Sequence, residues 1–130
     1  MINPNELRIG SLVNYEQTTH RILTLGQTTC ESICINSKSH LDTYERPYKE
    51  YAPIPLTEEW LERFGFTYEG RTYMGLDEFT NQGFIVLREQ DQYMFCYENA
   101  NGDYVDLEIE TVHQLQNLYF ALTEEEPKAV

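Results

Sequence analysis

Positive charge is scarce in this chain: 9 Lys and Arg stand against 22 Asp and Glu, a formal charge of −13. Binding a duplex requires Lys and Arg to displace its condensed counterions, so direct nucleic-acid binding and attachment to an anionic membrane are both disfavoured. No apolar run approaches the length of about 20 residues that spans a bilayer. The opening Met1-Ile2-Asn3-Pro4-Asn5-Glu6 has neither a basic stretch nor an apolar core, so no signal peptide is expected. Cysteine is rare and odd in number, with Cys30, Cys34 and Cys96. That count argues against a secreted disulfide framework and for reduced, buried thiols in a cytoplasmic protein. Phosphate cradles are missing too, since neither GxGxxG nor a P-loop occurs. There is no internal repeat and no low-complexity tract.

Aromatic residues, by contrast, are plentiful. Ten tyrosines and six phenylalanines can carry a core with wet edges, so the charge does not imply disorder. A chain of 130 residues is one domain, or two small lobes sharing a core, and buries roughly two-thirds of its unfolded surface.

Hydrophobic periodicity points to an α+β protein that is mostly antiparallel β. In residues 1–56 the strands are Leu12 to Tyr15, His20 to Leu25 and Thr29 to Ile35, with a turn through Gln17-Thr18-Thr19. Asn36 to Glu50 is polar, contains Pro47 and reads as a long loop or ragged edge. Strands this short suggest a small SH3-like barrel. With few large apolar side chains, it is expected to dock on the second lobe through the linker Pro53-Ile54-Pro55-Leu56 and the helix after it.

Residues 57–123 form the second lobe. Thr57 caps a short helix, Glu58 and Glu59 occupy its first turn, and Gly65 stops it. The period then becomes two. Phe66 to Tyr68 and Arg71 to Met74 flank Glu69-Gly70, read as a tight hairpin. Phe84 to Glu89 and Gln92 to Tyr97 flank Gln90-Asp91. After Asn101-Gly102, Val105, Leu107 and Ile109 alternate with Tyr104, Asp106, Glu108 and Glu110. A final helix, Val112 to Leu122, opens with a Thr111/Gln114 capping box and is expected to cover one face of the antiparallel meander. Residues 124–130 read as a mobile acidic tail.

Three stretches together resemble a family of short uncharacterised proteins of bacterial genomes, prophages and mobile elements. They are Asn5-Glu6-Leu7-Arg8-Ile9-Gly10, then Pro53 to Leu61 with Phe64-Gly65-Phe66, and Val112 to Thr123. The resemblance covers roughly a third of the chain and leaves the middle uncovered. It implies a bacterial or phage origin and a cytoplasmic setting, and it brings no activity. Where the family has Gly after Thr123 this chain has Glu124, so the usual glycine stop of the last helix is missing.

Each candidate site has an ordinary structural reading beside it. His20, Cys30, Cys34 and His40 are zinc-ligand types, but residues 30 and 34 on one strand lie roughly 13 Å apart at about 3.3 Å per residue and cannot share an ion. No metal site is expected. Cys96 sits in an apolar strand, a setting that favours the inert thiol. His113, in the first turn of the last helix near Glu108 and Glu110, is the one histidine placed to act as a general base, yet no nucleophile accompanies it. Asp106, Glu108 and Glu110 project from one strand face and form either a solvated face or an acidic binding surface. Tyr44, Tyr48 and Tyr51, with Arg46 and Lys49, have the composition of an interaction patch, or fold back over the barrel.

No catalytic residues and no cofactor follow from these motifs. The expected function is a non-enzymatic accessory or protein-interaction module whose partner is a protein, basic in one version, or a second copy of the chain. One alternative is an acidic inhibitor that mimics DNA towards a DNA-binding protein. The other is a small hydrolase using His113.

Overall fold

The computed structural model describes residues 2–36, 43–98 and 100–125. Every described strand pair is antiparallel, and the strands form two open sheets, which makes the chain α+β. Two compact units divide it: the chain up to Pro55 joins the segment from Thr111, and residues 56–110 form the other.

In the first unit, β1 (Leu12–Tyr15), β2 (Thr18–Leu25), β3 (Thr29–Cys34) and β4 (Thr43–Pro47) run as a meander in that spatial order. The β1–β2 turn is tighter and one residue earlier than expected. Glu16 (φ 47°) and Gln17 (φ 67°) both adopt the left-handed conformation that a two-residue hairpin requires, without help from glycine. The stretch read as a loop holds β4 and a 3-10 turn, Tyr48–Glu50. Pro47 is compatible with a strand there because β4 is an edge, where one face of the backbone needs no partner. In the strand order β1 and β4 are outermost, and β1 is bridged on its outer side by the chain that follows the 3-10 turn, where Asn14 N–H donates to Ala52 C=O at 2.8 Å and Ala52 N–H to Asn14 C=O at 2.9 Å. The core takes Val13, Ile22 and Cys30 from the strands, Ile2 and Leu7 from the amino-terminal segment, and Tyr48 and Tyr51. Two tyrosines thus make up for the shortage of aliphatic side chains.

The terminal helix α2 (Val112–Thr123) falls in the same compact unit as this four-stranded sheet. Its capping box forms as expected. The link back is a bridge between Pro55 and Thr111, with Val112 N–H donating to Ile54 C=O at 2.9 Å. Glu124 takes the left-handed cap (φ 60°) in place of glycine and donates to Phe120 C=O at 2.7 Å, so the helix ends at Thr123 regardless. A non-glycine residue in that conformation bears strain of roughly 1 kcal/mol. Of the acidic tail, residues 126–130 lie outside the described residues.

The second unit opens with α1 (Glu58–Arg63), capped by Thr57, whose Oγ1 accepts from Trp60 N–H at 3.3 Å. Gly65 (φ 87°) closes it: Phe66 N–H reaches Leu61 C=O at 2.9 Å and Gly65 N–H reaches Glu62 C=O at 3.0 Å. The sheet runs β5 (Thr67–Arg71), β6 (Asp77–Asn81), β7 (Phe84–Glu89), β8 (Gln92–Glu98) and β9 (Tyr104–Ile109), in sequence order. The expected hairpin at Glu69-Gly70 is instead a bulge inside β5, where the register shifts between Tyr68 and Gly70. Gly70 (φ 106°) supplies the backbone kink of that bulge, and the real turn lies at residues 72–76. There Thr72 N–H donates to Leu76 C=O at 2.7 Å.

Register fixes the two faces of this sheet. Phe79, Val86 and Phe95, aligned across β6, β7 and β8, are fully buried, with Tyr93 and Ile109 beside them. On β9 the packed side is unevenly buried: Ile109 is 2% exposed, Leu107 is 36% exposed and Val105 is half-buried. Helix α1 lies on this packed side. Asn81 donates to Phe64 C=O at 3.0 Å, and Arg88 joins Glu58 at 3.1 Å and Asp77 at 2.9 Å. The Arg88 bond holds the Asp77 carboxyl below its ordinary range, with Tyr68 assisting. Among the described residues, no helix is long and apolar enough to cross a membrane.

Candidate functional site

Three places concentrate polar or exposed chemistry. The first is a clasp made by the amino-terminal segment and α2. Gln116, 3% exposed, accepts from Leu12 N–H at 2.8 Å and donates to Gly10 C=O at 3.0 Å. Arg8 donates to Asn117 Oδ1 at 2.7 Å and to Gln116 C=O at 3.2 Å, with its guanidinium over the Phe120 ring at 4.4 Å. Asn117 returns a bond to Glu6 C=O at 2.6 Å. His113, 1% exposed, meets Glu6 Oε2 through Nε2 at 3.2 Å, while its buried Nδ1 has no partner. Residues near the two ends of the chain, 6–12 and 113–120, therefore hold one another. Among the described residues, His113 hydrogen-bonds to Glu6 and to no hydroxyl or thiol.

The second place is a buried row in the four-stranded sheet. His20 Nε2 lies 3.1 Å from Thr18 Oγ1, whose own proton goes to Tyr15 C=O at 2.7 Å. Thr18 can then only accept, so Nε2 carries the imidazole proton and Nδ1 is the acceptor. It follows that Ser32 donates to Nδ1 at 3.0 Å, and Tyr51 donates to Ser32 at 2.8 Å. Burial pushes the Tyr51 phenol up to about 12 and lowers His20 below its usual 6.5, the latter opposed in part by Glu16. Ser32 is fully buried and its proton is committed to His20, itself 2% exposed. This is a satisfied polar core.

It also carries a pH dependence. A histidine whose folded-state value lies below its unfolded one contributes stability above about pH 6.5 that is lost as pH falls through the folded value. Melting curves of the wild-type chain are expected to weaken as pH falls below about 6.5, before carboxylates titrate, and His20→Gln should flatten that step. An unchanged slope in the variant would remove the assignment.

Outside this row lies an open pocket of about 410 Å³ lined by Tyr15, Glu16, Thr18, His20, Cys34, Tyr44 and Arg46. Arg46 is held by Tyr15 Oη at 3.0 Å and Glu45 C=O at 3.0 Å. Sequence reasoning missed this grouping, although His20 and Ile22 on β2 and Cys30, Ser32 and Cys34 on β3 show the alternation that produces it.

The third place is the open face of the five-stranded sheet. Two rows cross it by register: Glu78, Leu87, Met94, Glu108, and beside them Thr80, Ile85, Cys96, Asp106. Each has apolar residues at its centre and a carboxylate on β9, and the first has another on β6. Ile85, Leu87 and Met94 are half-buried, while Asp106 and Glu108 are exposed. With Glu89 and Glu98 this face carries five carboxylates on β6 to β9 and no Lys or Arg. Burial, then the adjoining Asp106 and Glu78 carboxylates, push the Cys96 thiol up to about 12, so it is inert at neutral pH.

The expected site residues divide accordingly. Tyr48 and Tyr51 are buried, with Tyr48 Oη donating to Gly26 C=O at 2.6 Å, so they form core and not an interaction patch; Tyr44, 38% exposed, stays at the surface. Asp106, Glu108 and Glu110 are exposed as expected. Cys30 is in the core and Cys34 lines the pocket, which separates them as the strand geometry required; His40 lies outside the described residues. Among the described residues, no three His, Cys, Asp or Glu side chains gather as a metal would need. Compared with family models, with curated proteins and with solved structures, the chain matched none.

Proposed function

We propose that this protein is a non-enzymatic protein-interaction module that binds through the open face of its five-stranded sheet. The observation that carries the reading is the pairing of a half-exposed apolar centre, Ile85, Leu87 and Met94, with carboxylates at its margins. An apolar middle with a polar rim is the arrangement of a specific interface, and it needs no reacting group. The burial of His20, Ser32 and His113 supports the absence of catalysis from those side chains.

A photo-crosslinking residue at position 87 tests it in cells that express the chain. Defined adducts are expected from position 87 and not from position 59 on α1, and Met94→Asp should abolish them. Equal adducts from both positions would sink the proposal. The inhibitor reading keeps one observation in its favour: Asp106 and Glu108 are exposed at strand spacing, about 6.7 Å, which is similar to successive phosphates on one strand of DNA.

A further inference from the structure

The chemistry of that face also specifies its occupant, on the reading just given. We infer that it receives a basic segment of another protein, with one Lys or Arg side chain lying along Met94 and ending between Glu89 and Glu108. A shallow pocket of about 100 Å³ opens at this point, lined by Glu89, Gln92, Met94 and Glu108. Its floor is a thioether, which packs well against a chain of methylenes. Its sides are carboxylates from β7 and β9, and among the described residues neither has a cationic partner. A long aliphatic stem with a terminal positive charge is the natural amino-acid side chain that satisfies floor and sides together.

The other occupants fail on charge. A second copy laid on this face would oppose five carboxylates to five more, each on a chain of net charge −13. A nucleic acid meets the same repulsion. A purely apolar segment could cover Leu87 and Met94 but would leave the carboxylates desolvated and unpaired, which is unfavourable. The neighbouring Glu78, about 14 Å across the sheet from Glu108 at roughly 4.8 Å per strand, offers a second basic side chain a place at the far margin.

The test uses the full chain and a nine-residue peptide of alternating lysine and valine, with its fully lysine-acetylated counterpart. Amide shifts should map to Leu87, Met94 and Glu108, and acetylation should weaken binding at least tenfold. The double variant Glu89→Gln with Glu108→Gln is expected to lose roughly two- to five-fold per carboxylate. The double variant Glu59→Gln with Glu62→Gln removes the same charge from α1 and should lose nothing. Thermal melts of each variant serve as the check on folding. Equal weakening in both double variants would reduce the effect to overall attraction and overturn the inference. Shifts on the sheet that ignore both acetylation and Glu89/Glu108 would also overturn it while leaving the interaction reading intact. Absence of any shift at Leu87 and Met94, combined with no adducts from position 87, would remove both.

Discussion

Phe95→Ala is expected to destabilise the protein by about 3–5 kcal/mol, the range for removing a buried aromatic ring from a well-packed site. Phe95 is fully buried at the centre of the five-stranded sheet, opposite Val86 on β7 and Leu107 on β9. Its ring also lies 5.6 Å from that of Phe84 and 6.2 Å from that of Tyr97. Deletion leaves a cavity that sheet backbone on both sides cannot collapse to fill. The loss should appear as a lower urea midpoint with an unchanged slope, and hydrogen exchange should quicken first in β7, β8 and β9. Leu87→Ala, on the open face of the adjacent strand, is the control. Water already reaches that side chain, so its truncation is expected to cost under about 1 kcal/mol. A Phe95→Ala loss no larger than that of Leu87→Ala would mean that the two faces have been assigned the wrong way round.

Gln116→Leu is expected to cost about 2–4 kcal/mol even though it keeps the volume. The amide satisfies Leu12 N–H and Gly10 C=O, and a leucine strands both. Each buried backbone group left without a partner is unfavourable by about 1–3 kcal/mol, which outweighs the apolar gain of the new side chain. Exchange of the Leu12 amide measures the effect at the atom concerned. If Leu12 remains protected and stability changes by less than about 1 kcal/mol, the clasp is packing alone and its hydrogen bonds are incidental. Asn117→Ala provides an intermediate case, because its bonds to Arg8 and Glu6 lie nearer the surface.

Local patterns were readable where a short stretch determines its own structure. The Thr57 and Thr111 caps, the Gly65 stop and the alternation of β7 to β9 all follow from residues within a few positions of one another. Failures occur where the deciding partner is distant. Glycine at position 70 marks a turn or a bulge equally well, and only pairing with β6 selects the bulge. Nothing in the polar run around Tyr44 distinguishes a loop from an edge strand until β3 supplies a ladder. The apolar stripe of α2 reveals that the helix must be covered but not by what. Gln116 and Asn117 bind backbone there, but the same residues suit a solvent-facing turn equally well, so only the distant partners Gly10, Leu12 and Glu6 select the role. The candidate surface was half legible. The carboxylates on β9 are visible from alternation alone, whereas the apolar centre between them emerges only when register sets Ile85, Leu87 and Met94 beside them.

Residues 56–110 are one uninterrupted stretch, so their hairpins can close in turn as each leaves the ribosome. Arg8 has no such freedom, because its partner Asn117 is 109 residues away. At about 5–20 residues per second, translation keeps Arg8 waiting roughly 5–20 s. Throughout that delay the amino-terminal strands depend on their own hairpins, and Leu12 presents a bare backbone donor to whatever chain or chaperone is near.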